Sequence, residues 1–392
     1  MTQDIEKNRK RIYLDTNLQI IFSITLMAVM GVASVTPAFP RIIQDLGISS
    51  TSIGLLITVF TFPGVILTPV LGVFADRYGR KRILIPSMFL FGIAGGACAL
   101  SRDFNLLLIM RFFQGIGAAS LGALNVTIIG DLYSGRELAA AMGYNASVLS
   151  VGTASYPAIG GALAMVAWYY PFALPLLAIP MGFVVLFLLE NPEPRNDQHL
   201  KTYFRNVLKS LKNRQVVGIF IASIVTFIIL YGPLLTYLPL LLADSFNASP
   251  LTIGLFISIM SIITAFTSSQ LGKLTKKFSE KTLLKTTFLL YGLAIFLMPL
   301  LPKLTAFLLP AVIFGIAHGL NIPCFQTLLA RLAPMEYRGA FMSLNGMVMR
   351  LGQTLGPLLM GIVFSLWGIG ATFYSGAGLA GLMFLFGVIM IR

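Results

Sequence analysis

Apolar residues in this chain come in long unbroken runs, with no strand-like alternation and no narrow helical stripe. A membrane span needs about 20 predominantly apolar residues. Twelve runs approach or exceed that length: about 18–40, 51–73, 83–101, 105–130, 138–163 and 168–189, then 215–242, 251–272, 282–301, 304–330, 338–364 and 367–391. Short polar turns separate them, except after the sixth, where NPEPRNDQHLKTYFRNVLKSLKNR is the one long polar stretch. Its proline-rich start and basic end read as a linker, part of it an amphipathic helix on the membrane surface. The pattern predicts an all-α polytopic membrane protein. One six-span bundle covers 1–190, a cytoplasmic basic linker 191–214, and a second six-span bundle 215–392. The first 17 residues are polar. The run behind them is too long for a signal-peptide core and has no cleavage site after it, so it is expected to stay in the mature protein.

Composition narrows the class. Hydrophobic residues make up 57% of the 392 and charged residues 11%, against about 45–50% and 25% in soluble domains, which excludes a water-soluble globular protein. Lys and Arg number 28 against 14 Asp and Glu, a net charge of +14. In a soluble chain that excess would suggest nucleic acid, but here its placement explains it. With the N-terminus in the cytoplasm, 23 of the 28 basic residues fall on the cytoplasmic side and only Arg41, Arg102 and Lys303 on the other. Such asymmetry orients membrane proteins, so both termini are expected inside, with the bilayer and no nucleic acid as the basic residues' partner. Cys98 and Cys324 both lie in apolar runs, leaving no disulfide framework and no metal-ligand spacing.

The two halves repeat each other without a gap across five spans. A shift of 200 residues sets SSTSIGLLI (49–57) against SPLTIGLFI (249–257). It also pairs Gly72 with Gly272, Gly115 with Gly315, Met142 with Met342, Asn145 with Asn345, Gly152 with Gly352, Pro157 with Pro357 and Gly161 with Gly361. Hydrophobicity alone would not align glycine, proline and asparagine in register. Parallel six-span repeats are one design of secondary transporters, with the substrate site at the midplane between halves.

Three motifs sharpen this. The loop after the second span reads GVFADRYGRKR, with Gly72, Asp76, Arg77, Gly79, Arg80 and Lys81 at fixed intervals. It is similar to the major facilitator superfamily signature G-x-x-x-D-R-x-G-R-K. LLIMRFFQGIGAA in span 4 resembles the superfamily's arginine-containing motif of that helix. GTASYPAIGG in span 5 resembles the antiporter motif of twelve-span drug/proton antiporters, with Tyr156 where the pattern has glycine. The resemblance implies a cytoplasmic gate: Asp76 against the positive N-terminal end of span 11, and Arg80 paired with Asp131. The second copy, GKLTKKFSEK, lacks the aspartate, so the latch is expected in one half only. Lys81 and Arg82 read as topology anchors. Gly152, Pro157, Gly160 and Gly161 in span 5, with Gly352, Gly356 and Pro357 in span 11, make smooth bent surfaces suited to sliding contact.

Polar residues inside spans are costly and mark function by default. Arg111, Gln114 and Asn125 share a sector of about 60° on span 4. His318 and Asn321 share a face of span 10, and span 11 carries Arg350 and Gln353. By resemblance, spans 1, 4, 7 and 10 line the cavity. Arg111 is either a ligand or a clamp on backbone carbonyls, Asn125 either a ligand or helix glue, and His318 either a hydrogen-bonded buried histidine or a proton carrier. Arg350, mid-helix with no acid nearby in sequence, is the strongest ligand candidate. Tyr231 and Tyr237, with Phe22 and Phe227, offer a greasy wall or ordinary packing.

All 14 acids lie outside the span centres. A cavity with two arginines and no carboxylate favours anionic, zwitterionic or neutral amphipathic substrates. It leaves proton coupling to Asp244, Asp45 or His318. The favoured expectation is a proton-driven exporter of small amphipathic molecules, drug-like or metabolite, without cofactor and monomeric, in the inner membrane of a prokaryote. An organic-anion, sugar or lipid carrier is the second reading. A receptor or a membrane enzyme is the third, and no catalytic constellation or nucleotide loop supports it.

Overall fold

The computed structural model describes residues 12–190, 213–332 and 338–390; the sequence-predicted linker lies outside them except for Asn213 and Arg214, which cap and begin the next helix. The chain folds into α1 (Thr16–Leu46), α2 (Leu55–Tyr78), α3 (Arg80–Leu100), α4 (Phe104–Leu132), α5 (Gly135–Val166) and α6 (Tyr170–Leu188). The second half begins with α7 (Arg214–Phe246) and α8 (Pro250–Ser269), followed by α9 (Glu280–Leu300) and α10 (Leu308–Leu332). The last helix runs from Arg338 to Met390 but breaks at Gly368, whose φ of 77° and ψ of −175° are not helical. It therefore comprises two spans, α11 (338–367) and α12 (369–390). Among the described residues eleven helices are long and apolar enough to cross a membrane, and the kink in the last makes twelve spans.

Side-chain chemistry explains where several helices start and stop. Asp103 accepts from the Leu106 amide at 2.8 Å and caps α4; Ser249 and Ser279 do the same for α8 and α9 through Thr252 and Thr282. These bonds satisfy amides that a helix start leaves open. Gly79 separates α2 from α3 with φ 107°, a conformation that a side chain would strain.

Within each half the same helices touch: α1 with α5 and α7 with α11, α2 with α4 and α8 with α10, α3 with α4 and α9 with α10. Across the halves, α5 packs on α8 and α11 on α2. The repeat holds at the level of single bonds. Thr68 Oγ1 donates to the Ala119 carbonyl at 3.0 Å, and Ser268 Oγ donates to the Gly319 carbonyl at 2.8 Å, each bridging 51 residues. Gly115 meets the backbone of Phe60, and Gly315 that of Met260. At this aligned pair a neighbouring backbone passes too close for a Cβ, whereas the aligned Gly272 faces open space.

The basic end, which carries the α2–α3 and α8–α9 loops, differs from the opposite end in how the halves meet. At the opposite end Gly54 faces Pro357 with 3.1 Å to an ideal Cβ, and its counterpart Gly254 lies against the Pro157 carbonyl. Thr58 Oγ1 donates to the Thr354 carbonyl at 3.2 Å, and the Thr61 and Thr354 hydroxyls bond at 2.9 Å. Toward the basic end, α5 is exposed at Ala139, Ala140, Gly143, Tyr144, Ala146, Ser147 and Leu149. At 100° per residue those positions span a sector of about 220°, wider than a single lipid-facing side. The halves are sealed at the opposite end and parted at the basic end.

Two of the basic residues at the opposite end have local partners. Arg41 donates to the Ala164 and Met165 carbonyls, both at 2.6 Å, at the end of α5. Arg102 donates to the Ala99 and Ser101 carbonyls and lies 3.7 Å over the Tyr169 ring. Each satisfies carbonyls that a helix C-terminus leaves open.

Candidate functional site

Span 4 positions Arg111 inside the first half, where it is 1% exposed. Its Nε donates to the Leu56 carbonyl at 3.1 Å, and Nη1 to the Gly31 carbonyl and Gln114 Oε1, both at 2.8 Å. Its Cζ sits 4.2 Å from the Phe60 ring centroid. The guanidinium clamps α1 and α2 to α4 and does not face a cavity in this conformation. Gln114 is buried beside it, with Nε2 lacking a protein partner.

Asn125 is buried as well. Its Nδ2 donates to Thr25 Oγ1 at 2.8 Å, and Thr25 Oγ1 donates to Asn145 Oδ1 at 2.5 Å, so three side chains join α1, α4 and α5. In the second half Thr226 Oγ1 donates to Asn321 Oδ1 at 3.1 Å and Asn321 Nδ2 to Thr287 Oγ1 at 2.9 Å, joining α7, α10 and α9. Fully buried and bonded through both amide atoms, Asn321 holds helices together. His318, half-buried, shares a 2.7 Å hydrogen bond between Nδ1 and the Tyr291 hydroxyl and stacks on Phe314 with centroids 5.9 Å apart.

Arg350 sits differently. It is half-buried on the seam between halves, its stem against Gly64 of α2, where an ideal Cβ would fall 3.1 Å from Cδ. Nη1 donates to Gln353 Oε1 at 3.1 Å, and Tyr231 of α7 is its electrostatic neighbour. No carboxylate among the described residues stands near it: Asp15, Asp45, Asp76, Asp103, Asp131, Glu137, Glu190, Asp244 and Glu280 all lie at or beyond helix ends. Residues 230–237 of α7 form a π-helical stretch around Pro233, a geometry frequent at functional sites. It carries both Tyr231 and Tyr237. Tyr237 belongs to the sealed end, fully buried, stacked on Phe364 at 5.1 Å, with its hydroxyl unpartnered. The sequence candidates therefore separate: Arg350, Gln353 and Tyr231 come together at the seam, and Arg111, Gln114, Asn125 and Asn321 are spent inside their own halves.

The aligned glycines and prolines of spans 5 and 11 present two faces. Gly152 and Gly160 lie against α1, at Leu26 and Val29 and at the Ser34 backbone, while Gly161 and Pro157 lie against α8. Gly352 and Gly356 lie against α7, at Phe227 and Ile228, while Pro357 lies against Gly54 of α2.

At the basic end Arg80, 6% exposed, donates Nε to Asp131 Oδ2 at 3.0 Å and Nη1 to Asp76 Oδ1. Gly72 is half-buried on α2 and Arg77 exposed beyond it, with Cζ 5.4 Å from the Tyr78 ring. Asp76 is engaged by Arg80, one turn along, and the side chains at the start of α11 lie outside the described residues. One expectation changes here: the second half has an ion pair of its own, in which both carboxylate oxygens of Glu280 accept from Arg331, at 2.8 and 3.3 Å. A motif sought by its aspartate misses that pair, and the repeat register with charge signs ignored would have found it. Nearby, Tyr133 donates to Asp15 Oδ1 at 2.8 Å; burial first and that carboxylate second hold its phenol above the usual pKa.

Two six-helix halves around a seam, tight at one end and parted at the other, define a membrane transporter rather than an enzyme. The family model of the Major Facilitator Superfamily matches residues 21–244 and 234–392, and the chain belongs to that superfamily. It is similar to multidrug resistance protein 1 of Bacillus subtilis (strain 168), 27% identical over 89% of this chain and 90% of that one. It is also similar to the quinolone resistance protein NorA of Staphylococcus aureus (strain COL), 26% identical over 98% and 96%. Among solved structures, a mutant form of the nucleoside transporter NupG superposes with a TM-score of 0.82 at 13% identity, covering 96% of this chain and all of that one. The human organic anion transporter MFSD10 gives 0.71 at 17%, covering 95% and 99%. These two show the fold.

Proposed function

We propose that the chain is a proton-coupled exporter of small amphipathic molecules that works by alternating access, with its basic end in the cytoplasm. The observation that carries this is the asymmetry of the seam. Thr58, Thr61 and Thr354 bond across the halves at one end, while α5 stands open at the other. A chamber open to the cytoplasm and closed outward is ready to load a substrate for export. The similarity to multidrug and quinolone resistance proteins supports efflux, and the positive-inside bias supports the orientation.

Arg350 favours a narrower substrate class. A half-buried guanidinium at the seam, without a carboxylate at its depth, attracts carboxylates, sulfonates or phosphates and disfavours permanent cations. Gln353 orients it, and Tyr231 adds an aromatic face with a hydroxyl. The Arg80 cluster, with Asp76 and Asp131, acts in the gate at the cytoplasmic end.

The test is transport in proteoliposomes under an imposed pH gradient, comparing an anionic dye with ethidium, in the wild-type chain and Arg350→Ala. Gradient-driven transport of the anion, lost in the variant, is the expected result. Preference for ethidium overturns the substrate class, and indifference to the gradient overturns proton coupling.

A further inference from the structure

The register that relates the halves also inverts charge at their basic ends. With the shift of 200 residues, Asp76 corresponds to Lys276, Arg80 to Glu280 and Asp131 to Arg331. The sequence continues the inversion at Arg136 and Glu336, the latter outside the described residues. Both ion pairs bridge 51 residues, and both tie the start of a helix, α3 or α9, to the end of the next, α4 or α10. The second half has kept the bond and exchanged its ends.

Inside one half, the polarity of such a pair is immaterial. It matters only where the halves meet. Across a twofold axis a residue meets a different residue of the other half unless it lies beside the axis. Here α4 packs on α2 and α5, α10 on α8 and the last helix, α2 on α11 and α5 on α8, a closed ring in which α4 and α10 stand opposite each other. Two copies of the same polarity would bring Asp131 toward an aspartate, and like charges across an interface repel. The inversion brings Asp131 toward Arg331. The charges then alternate without a break through Arg80, Asp131, Arg331 and Glu280.

We infer that Asp131 and Arg331 pair across the seam when the basic end closes, joining the two ion pairs into one four-residue latch. In the open form, Arg331 holds Glu280 while its side chain is 65% exposed, leaving the guanidinium a free face for a second carboxylate. Asp131 is anchored by Arg80 with its side chain 15% exposed, a fixed target at the end of α4. The inference rests on the alternating-access reading, but not on any substrate.

Polarity exchange tests it. One variant carries Asp76→Lys, Arg80→Glu and Asp131→Arg; a second carries Lys276→Asp, Glu280→Arg and Arg331→Asp; a third combines both sets. Every variant keeps an ion pair inside each half, so thermal melting near that of the wild type checks folding. Spin labels on exposed Ser134 and Lys277, with Cys98 and Cys324 replaced by alanine, report the distance between halves at the basic end. The wild type is expected to populate a short distance, each single-half exchange to reduce that population at least tenfold, and the combined exchange to restore it. Single-half exchanges that close like the wild type overturn the pairing. A wild type that never shows the short distance overturns alternating access itself. As a second measurement, Asp131→Cys with Arg331→Cys should cross-link through a short bifunctional thiol reagent. Failure to do so in a chain shown to close overturns the pairing independently of the exchange variants.

Discussion

Arg350 of α11 lies across Gly64 of α2, so that a Cβ on Gly64 would stand 3.1 Å from its Cδ and Nε and 3.2 Å from its Cγ. The two residues belong to different halves, and the glycine makes room for the stem of the arginine at the seam. The neighbour here is a flexible side chain, so Gly64→Ala should shift Arg350 by a few tenths of an ångström and leave transport close to wild type. Gly64→Leu should displace the guanidinium and reduce vesicle transport about as far as Arg350→Ala does, with expression retained. Normal transport by the leucine variant would separate the two residues functionally.

Arg111 should behave in the opposite way. Three acceptors from α1, α2 and α4 converge on it, and hydrogen bonds to a charged group contribute about 1.5–3 kcal/mol each. Arg111→Ala should therefore lower the melting temperature and cause aggregation in size-exclusion chromatography, whereas Arg350→Ala should melt like the wild type. Equal melting curves for the two would contradict the clamp.

The threonine contacts set the balance between open and closed forms. Removing one neutral hydrogen bond costs about 1 kcal/mol, or about fivefold in an equilibrium constant. Thr61→Val should shift the chain toward the form open at the opposite end by about that factor. Thr354→Val should do the same through the same lost bond, while the Thr354 carbonyl goes on accepting from Thr58. Distances between spin labels on α2 and α11 at that end would measure it.

Adjacent glycines on α5 should give different defects. Gly160 faces the Ser34 backbone in its own half, and Gly161 faces Pro250 in the other. Gly160→Ala should destabilise the fold, seen as a lower melting temperature. Gly161→Ala should leave melting nearly unchanged and prevent sealing, seen as labelling of a cysteine placed at the opposite end of the seam.

His318 is held by Tyr291 and stacked on Phe314, an arrangement that suits a structural side chain. His318→Gln should keep the pH dependence of transport. A flattened pH profile in that variant would make His318 the proton carrier.

The fold was largely legible before the structure. Run length gave the spans, because a bilayer demands about 20 apolar residues per crossing. The repeat was visible because close helix crossings and tight turns tolerate few residues besides glycine and proline. The candidate site was legible only in part. Arg111 and Arg350 look alike as lone cations in apolar runs, and helical periodicity says which face each occupies. It does not say what lies opposite. The carbonyls that hold Arg111 come from residues 55 and 80 positions away, and only packing brings them there.

The sequence by itself determined the class, the spans, the duplication and the charge bias, since each follows from local chemistry repeated along the chain. Tertiary structure decided which buried polar groups are spent on their own half and which remain at the seam. It also showed that the second half holds its own ion pair. Glu280 and Arg331 are 51 residues apart and resemble no signature. Their relation to Arg80 and Asp131 emerges only when both helix ends are seen bonded in the same register with their signs exchanged.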